Sequence, residues 1–501
     1  MSPFPAHFAK YQSKMRTGAD YMADIKADGR QVFIDGELVK DVTAHPAFAG
    51  AVRSIARLYD VASDPENRDL MTFPSPKTGR PVNRIWTLPR SKEDLALRRK
   101  AIERWSFETL GLMGRSPDHV AGFFVGYTCA PEVLARGGQQ FADNTVRFYE
   151  FMRDHDVYIA YTIVPPQIDR SKPAHQQNPP DLYAGVVKER DDGIVIRGAQ
   201  MLGTGAVLSD YVQLSTIHPM RPGDENYAIS IAVACNAPGV KLYSRRSYAQ
   251  AASSVFDYPL ATRFDEIDAL LVYDDVFVPW EQVFIYKNLE LARAQWFEAP
   301  AHVMGNSQAQ IRFTSKLHFL VGLARRIVEM NGVAGLPPVQ SDIARLATYA
   351  AMTQGLVYGA EHSATANANG YMIPGLQETY ANMNLQSEIY PQMLNIVREL
   401  AGGGLIQLPA SVADLTSDVT RGDVTKYVQS PGTPGEERIK LLKLAWDLVG
   451  SEFAGRHEQY EKFYAGAPFI VRSHMWRTYD FKRANALVDH ALAGYDINGR
   501  K

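Results

Sequence analysis

Cysteine is nearly missing from this chain: there are two among 501 residues, Cys129 and Cys235, far apart in sequence. A disulfide framework is thereby excluded, and a reducing cytoplasm fits. No uninterrupted apolar run reaches about 18 residues, so no membrane span is expected. Pro5, Lys10, Lys14 and Arg16 interrupt any apolar stretch near the start, which does not read as a secretory signal. Neither sign of charge predominates. Lys and Arg number 53 against 55 Asp and Glu, a net −2, which argues against nucleic acid or an anionic membrane as partner. There is no internal repeat and no low-complexity segment. A dinucleotide fingerprint is absent too: Gly203-Thr204-Gly205-Ala206-Val207-Leu208 lacks the third glycine, and no βαβ unit follows it. His45, His155, His302, His318, His362 and His457 form no pair at metal-ligand spacing, and no metal is expected.

What is present suffices for a large core. The chain is 46% hydrophobic, and its length allows two or three domains. Residues 1–156 read as a mainly helical domain. Apolar residues at helical spacing run from Lys92 past Leu97, Ile102 and Trp105 to Leu110, and Gly111 and Gly114 stop them. Glu132 to Asp154 reads as another helix. Residues 157–280 read as a β domain, a compact barrel or sandwich. Its strands are placed at 158–164, 186–190, 194–197, 211–217, 228–233 and 269–273, with Asp192-Gly193 as a hairpin turn. Residues 281–501 return to long helical patterns: Ser307–Met330, Ser341–His362, Leu376–Leu400 and Pro434–Phe463. Gly402-Gly403-Gly404 ends the third, and a four-helix bundle is expected. Helical, β and bundle domains in this order form the α+β arrangement of the acyl-CoA dehydrogenase-like fold.

One segment concentrates chemistry. In Met113-Gly114-Arg115-Ser116-Pro117-Asp118-His119, Ser116 suits an N-cap and Pro117 the first helical position. Arg115 then precedes the helix and His119 lies in its first turn. Unpaired N–H groups, the positive end of the helix dipole and a guanidinium converge on a place suited to a phenolate or carboxylate.

This segment resembles a signature of the two-component, flavin-dependent phenol hydroxylases of the 4-hydroxyphenylacetate 3-monooxygenase oxygenase family. The resemblance runs from about Met15 to Asp496 in separated blocks. They are Arg16-Thr17-Gly18 with Asp28-Gly29-Arg30, Gly114 to Asp118, Pro165 to Arg170, Asp257 to Leu260 with Arg263 to Glu266, Val278 to Glu281, and Gly450 to Arg456. It implies reduced FAD delivered by a separate NAD(P)H:flavin reductase, dioxygen as co-substrate, a C4a-hydroperoxyflavin, and hydroxylation of a phenol ortho to its hydroxyl. It also implies a homotetramer. Carried over residue by residue, the flavin would meet Tyr161, Thr162, Ile163, Val164, Gln167, Ile168, Asp169, Arg170, Thr204, Tyr464, Ala465 and Gly466. The substrate would meet Arg115, His119, Tyr161, Thr216, Ile217 and Gln308, with Thr216 and Ile217 on a closing loop. Arg115, His119 and Tyr161 are the catalytic candidates, and His119 is the candidate general base, since imidazole titrates near working pH.

The chain departs from the family pattern in one respect. His119 stands where the family has a tyrosine, and Tyr161 where it has a substrate-contacting histidine. If both point into one pocket, the exchange preserves a hydrogen-bonding pair. Gln308 resembles the glutamine of the hydroxyphenylacetate branch rather than the histidine of the dehalogenating branch. A dehydratase branch with an iron–sulfur cluster needs three cysteine ligands, and two cysteines cannot supply them. Two readings stay open beside hydroxylation: an acyl-CoA dehydrogenase-type oxidation, which needs a carboxylate over the flavin, and a non-catalytic relative that binds small aromatics.

Overall fold

The computed structural model describes residues 4–12, 14–495 and 499, and Asp496, the far end of the resemblance, lies outside them. Helix α1 (Gly18–Ala27) opens on a capping box in which Thr17 and Asp20 bond each other's backbone N–H. Two strands not foreseen in the sequence follow, β1 (Gln31–Ile34) and β2 (Glu37–Leu38). Next come α2 (Ala49–Ser63) and α3 (Lys92–Thr109). A capping box of Ser91 and Asp94 starts α3, and Leu110 at φ 54° followed by Gly111 at φ 67° ends it. Helix α4 (Pro117–Cys129) begins on Pro117 and is buried along its whole length. The single helix expected over Glu132–Asp154 is instead a short turn, Pro131–Ala135, and then α5 (Gln139–His155). Gly138 between them sits at φ 136°, a value no right-handed helix contains.

The β region holds β3 (Ile159–Thr162), β4 (Gly185–Arg190), β5 (Gly193–Gln200), β6 (Tyr211–Leu214), β7 (Ser230–Ala234), β8 (Val240–Ser244), β9 (Ala269–Pro279) and β10 (Val283–Ile285). They form two sheets, ordered β2-β1-β8-β9-β5-β4 and β10-β7-β6-β3. The sheets meet face to face, so the sandwich alternative holds over the barrel: the Thr162 hydroxyl of one lies 3.5 Å from the Tyr273 hydroxyl of the other. The expected hairpin is present, with Arg190 opposite Gly193. Strand β1 pairs in parallel with β8, so the N-terminal segment supplies part of the central sheet.

After α6 (Leu291–Phe297) come the long helices α7 (Ala301–Met330), α8 (Pro337–His362) and α9 (Leu376–Ala401). Gly402, at φ 59°, stops α9. The last expected helix is two, α10 (Gly435–Val449) and α11 (Glu452–Phe463), because Gly450 ends one and the Ser451 hydroxyl caps the other. Helix α12 (Pro468–Thr478) follows. Among the described residues, no helix is long and apolar enough to cross a membrane.

Two early sequence blocks pin the β domain. The buried Arg16 guanidinium grips Asp210 at 2.6 and 3.0 Å, and Asp210 also accepts the Tyr158 N–H at 2.8 Å. Arg30 donates to the carbonyls of Val207 and Ser209 at 2.7 and 3.0 Å. The end of the Thr204 turn and the entry to β3 are therefore held from the N-terminal segment.

Helices α4 and α7 approach closely because glycines face the contact. A Cβ on Gly126 would lie 2.3 Å from the Ala301 Cα, and one on Gly305 would lie 2.4 Å from the Phe123 ring. Backbone at such a distance has nowhere to move. Gly126→Val is therefore expected to destabilise the protein by about 1–3 kcal/mol through overpacking, read as a lowered denaturation midpoint. An unchanged midpoint would show that the helix pair has slack.

Candidate active site

Three parts of the fold converge on the turn before α4. The backbone N–H groups of Gly114 and Arg115 donate to the Glu266 carboxylate at 3.2 and 2.8 Å. Arg456 of α11 donates to the same carboxylate at 3.0 Å and goes on to Asp268 at 2.7 and 3.1 Å. Asp268 in turn accepts from Arg245 at 2.9 Å and from the Thr204 hydroxyl at 2.5 Å. Gly114 has to be small here, since a Cβ would lie 2.1 Å from the Tyr460 hydroxyl. The Tyr158 hydroxyl donates to the Arg115 carbonyl. Ser116 occupies the N-cap position as expected, but its hydroxyl donates to Asp118 at 2.6 Å rather than capping the helix.

With its backbone held, Arg115 turns its side chain onto α4. Its Nη1 lies 2.7 Å from His119 Nε2, and His119 Nδ1 lies 3.1 Å from Gln308 Oε1. The amide of Gln308 continues to Asp118 at 3.0 Å. Partner chemistry assigns the protons. A guanidinium only donates, so Nε2 accepts, and Nδ1 carries the hydrogen towards Gln308. Burial, reinforced by the Arg115 charge, pushes the His119 pKa well below its ordinary value, so the ring is neutral. Both ring nitrogens are engaged in this arrangement. His119 is thus placed to hold the guanidinium, a different task from the general base expected of it.

The other terminal nitrogen, Arg115 Nη2, donates to the Tyr464 carbonyl at 3.5 Å, and the Tyr464 hydroxyl also bonds the guanidinium. Three phenol rings surround the guanidinium, with centroids at 4.6 Å (Tyr464), 5.0 Å (Tyr161) and 5.3 Å (Tyr460). The rings of His119 and Tyr161 lie 5.5 Å apart, so the exchanged pair does share one pocket. Phe123 meets both edge-on, and Trp296 packs edge-on against Phe123 at 5.5 Å. The Trp296 indole N–H donates to the Thr216 carbonyl at 2.7 Å, which ties the loop of Thr216 and Ile217 to the aromatic wall.

The residues expected to meet a flavin lie beside this cluster. Strand β3 is the outer strand of its sheet. Its Thr162 carbonyl accepts from Ser215 on the paired side at 3.1 Å. In a parallel ladder both backbone groups of one residue face the same neighbour, so those of Tyr161 and Ile163 face the open edge. The Thr162 side chain points away from that edge, buried against Tyr273, and its backbone faces the paired strand, so neither its hydroxyl nor its own backbone reaches the open edge. Val164 uses its carbonyl on Met201 at 2.8 Å. Gln167 to Arg170 form a turn in which Gln167, Ile168 and Arg170 are exposed. Asp169 there pairs with Lys172 at 3.3 Å rather than with Arg170. The Thr204 hydroxyl proton is spent on Asp268, leaving its oxygen to accept. Tyr464 joins the Arg115 cluster, whereas Ala465 packs towards Tyr380 and Val471, and Gly466 is exposed at φ 102°. An open strand edge, an adjacent exposed guanidinium and a wall of rings fit a flavin dinucleotide.

Several residues that build the site carried no expected role. Glu266, Asp268 and Arg456 lie within or beside quoted blocks. Glu461, on α11, accepts from Arg312, from Lys316 at 2.8 Å and from Gln386 at 2.5 Å. Burial alone would raise its pKa, but Arg312 and Lys316 bring it down to about 2, while burial takes Lys316 down to about 8. The available signal was spacing: Gln308, Arg312 and Lys316 share one face of α7, and Tyr460 in the last turn of α11 stands four residues before Tyr464 at its C-cap. Asp118, Glu266 and Glu461 are all engaged, so none of these three stands free to abstract a proton as a dehydrogenase would require. Burial pushes both thiols, Cys129 and Cys235, up to about 12, so neither supplies a thiolate at neutral pH.

Residues 17–285 match the family described as 4-hydroxyphenylacetate 3-hydroxylase N terminal, and residues 292–493 match 4-hydroxyphenylacetate 3-hydroxylase C terminal. The chain is 34% identical over 455 residues to the 4-hydroxyphenylacetate 3-monooxygenase oxygenase component of Geobacillus sp. (strain PA-9), spanning 90% of this chain and 91% of that one. It is also 34% identical over 455 residues to the (3S)-3-amino-3-(3-chloro-4-hydroxyphenyl)propanoyl-[peptidyl-carrier protein SgcC2] monooxygenase of Streptomyces globisporus, spanning 90% of this chain and 85% of that one. Its fold superposes at a TM-score of 0.89 on the oxygenase component HpaB of 4-hydroxyphenylacetate 3-monooxygenase complexed with FAD and 4-hydroxyphenylacetate. The two are 32% identical over 95% of this chain and 99% of that one.

Two more histidines have a consequence for stability. His302 of α7 and His474 of α12 lie 4.9 Å apart, and burial pushes them down to about 3 and about 4. Both are neutral when folded and take up protons on unfolding below about pH 6.5. Their contribution is complete above that pH and is lost as pH falls towards 4. The melting temperature is expected to drop steadily from pH 7 to pH 4, and less steeply in His302→Asn. Parallel profiles for the two proteins would contradict the assignment.

Proposed function

The chain belongs to the 4-hydroxyphenylacetate 3-hydroxylase family, and on that premise we propose that its Arg115 cluster binds a phenol for FAD-dependent hydroxylation ortho to the phenol oxygen. The protein is then the oxygenase component of a two-component monooxygenase. The observation that carries this reading is the Arg115 guanidinium set inside a wall of aromatic rings, with one end fixed by His119 and Nη2 at 3.5 Å from the Tyr464 carbonyl.

A planar phenol packed among Tyr161, Phe123 and Tyr464 presents its oxygen to Nη2. The cation lowers the phenol's pKa, and the phenolate carries more electron density at its ortho carbon. His119 keeps its own proton on Nδ1, towards Gln308, and offers its lone pair to Arg115. It acts as a positioning residue, with Gln308 and Asp118 fixing its tautomer. Tyr161 supplies the ring wall that a histidine supplies in the family pattern, and His119 the polar contact a tyrosine supplies there. Thr216 and Ile217 close the site from the Trp296 side.

FAD would be held along the open edge of β3 by the backbone of Tyr161 and Ile163, by Gln167 to Arg170, by Thr204 and by Tyr464 to Gly466, with Arg170 on a phosphate. Reduced FAD, delivered by a separate reductase, supplies the activation of dioxygen. The protein's part is to orient the ring and exclude water from it; buried rings on several sides serve that end. A homotetramer is part of the same proposal.

The test mixes the protein with reduced FAD, dioxygen and a panel of para-substituted phenols, and looks for a catechol by chromatography. Arg115→Gln is expected to lower the hydroxylation rate about 10²–10³-fold, the range for losing one preorganised donor to a developing oxyanion. Oxygen uptake should continue and release peroxide instead. His119→Gln should fall less, because glutamine retains an acceptor for Nη1. Full activity in Arg115→Gln, or no catechol from any phenol, would overturn the reading.

A further inference from the structure

Just past β5 the ladder with β9 falls out of step. Gln200 stands opposite Leu271, and Gly203 exchanges backbone hydrogen bonds with Ala269 at 2.9 and 3.4 Å. Met201 and Leu202 therefore face Leu270 together, which makes a bulge of one extra residue. Met201 gives its N–H to the Val164 carbonyl of the other sheet at 2.8 Å. Leu202 takes a left-handed backbone, φ 57°, a conformation that costs any residue with a Cβ and that glycine adopts freely. A glycine does stand next to it, but for space: a Cβ on Gly203 would lie 2.2 Å from the Leu271 side chain and 3.1 Å from the Thr162 methyl.

Among the described residues, three apolar side chains sit on left-handed backbone: Leu110, Leu202 and Ile267. Leu110 closes α3, and Ile267 is fully buried in the core. Leu202 is 57% exposed, so core burial does not offset its strain. Strained positions of this kind gather at ligand sites, and bulges beside such sites re-aim a side chain. The surroundings fit that account. On one side the bulge is bridged to Val164, at the end of the β3 edge. On the other it runs into Thr204 and then Gly205, where a Cβ would lie 3.3 Å from the Arg115 carbonyl and 2.7 Å from the Tyr158 hydroxyl. The turn thus joins the open strand edge to the backbone of the phenol-binding arginine. A flat ring system that touches both the β3 edge and the Thr204 hydroxyl has to cross Leu202 on the way.

We infer that Leu202 is a flavin-positioning residue: the bulge holds its side chain against the isoalloxazine ring of FAD and so fixes that ring relative to Arg115. The inference rests on the phenol-hydroxylase reading and adds an apolar contact to the polar ones of Thr204 and the β3 backbone. It also accounts for a leucine at a backbone position where the fold alone would take glycine.

Three variants of the full chain separate the contact from the backbone. Leu202→Gly loses the side chain and relieves the strain, Leu202→Ala loses the side chain and keeps the strain, and Leu202→Met keeps both. Anaerobic titration with reduced FAD is expected to show binding about tenfold weaker in the Gly and Ala variants, the loss for uncovering one leucine side chain. Leu202→Met should bind within about twofold of the unaltered protein, as a volume-conserving exchange. The melting temperature of the flavin-free protein should be unchanged in Leu202→Ala and unchanged or higher in Leu202→Gly. Equal affinity in all four proteins overturns the inference. So does a melting temperature that falls in step with the affinity, which marks a leucine that holds the turn and not the flavin. A changed oligomeric mass by light scattering, with reduced-FAD affinity intact, assigns Leu202 to a subunit contact and overturns it as well. Turnover separates the two readings. If the unaltered protein yields a catechol and the variants bind reduced FAD as tightly, the leucine contact falls and the hydroxylase stands. If binding depends on Leu202 as expected and no phenol yields a catechol, the hydroxylase reading falls and the contact stands.

Discussion

The Glu266 carboxylate is the contact on which the site's geometry depends. It holds two consecutive N–H groups of the turn before α4 and the Arg456 guanidinium of α11. A buried carboxylate is costly unless each lone pair is used, and here the β region supplies the carboxylate while its users come from the N-terminal helices and the bundle. Moving any of the three leaves a buried charge unpaired. The position of Arg115 is therefore set by the relation of whole structural layers, not by its own helix alone.

From that anchor the site extends as a relay of fixed hydrogen bonds, Arg115 to His119 to Gln308 to Asp118. Each member decides the proton position of the next. The same residue types in water would interconvert among tautomers and rotamers. Burial removes that freedom and fixes one end of the guanidinium on His119. The histidine and tyrosine exchanged relative to the family pattern face one pocket, and either order presents a ring and a polar atom.

Much of this was legible in the sequence where the signal was local. The helix of Lys92–Thr109, the hairpin signalled by Asp192-Gly193, whose turn lies one residue earlier at 191–192, and the start of α4 at Pro117 follow from caps, turn residues and proline. Arg115, His119, Tyr161, Tyr464 and Gln308, drawn from four distant segments, do gather. What was missed depends on distance or on single glycines. The break at Gly138 and the one at Gly450 each split a helix whose apolar spacing ran on without interruption. Thr162 was expected to offer its hydroxyl outward, but strand alternation fixes its side to the core once Tyr161 faces the site. The task of His119 could not be read from its spacing to Arg115, because it depends on Gln308, 189 residues away.

The pairing of β1 with β8 bears on how the chain is made. Residues 31–33 find their partners at 241–243, and the N-terminal guanidiniums find theirs at 207–210. At a synthesis rate of about 5–20 residues per second, the first segment leaves the ribosome on the order of 10–40 s before its partners. Arg16 and the edge of β1 remain in solvent for that interval, exposed to holdase chaperones and to wrong strand pairing. Nascent chains stalled before residue 240 should therefore hold α3, α4 and α5 in helical form but lack a finished sheet, and the early helices have to remain soluble without the layer that later covers them.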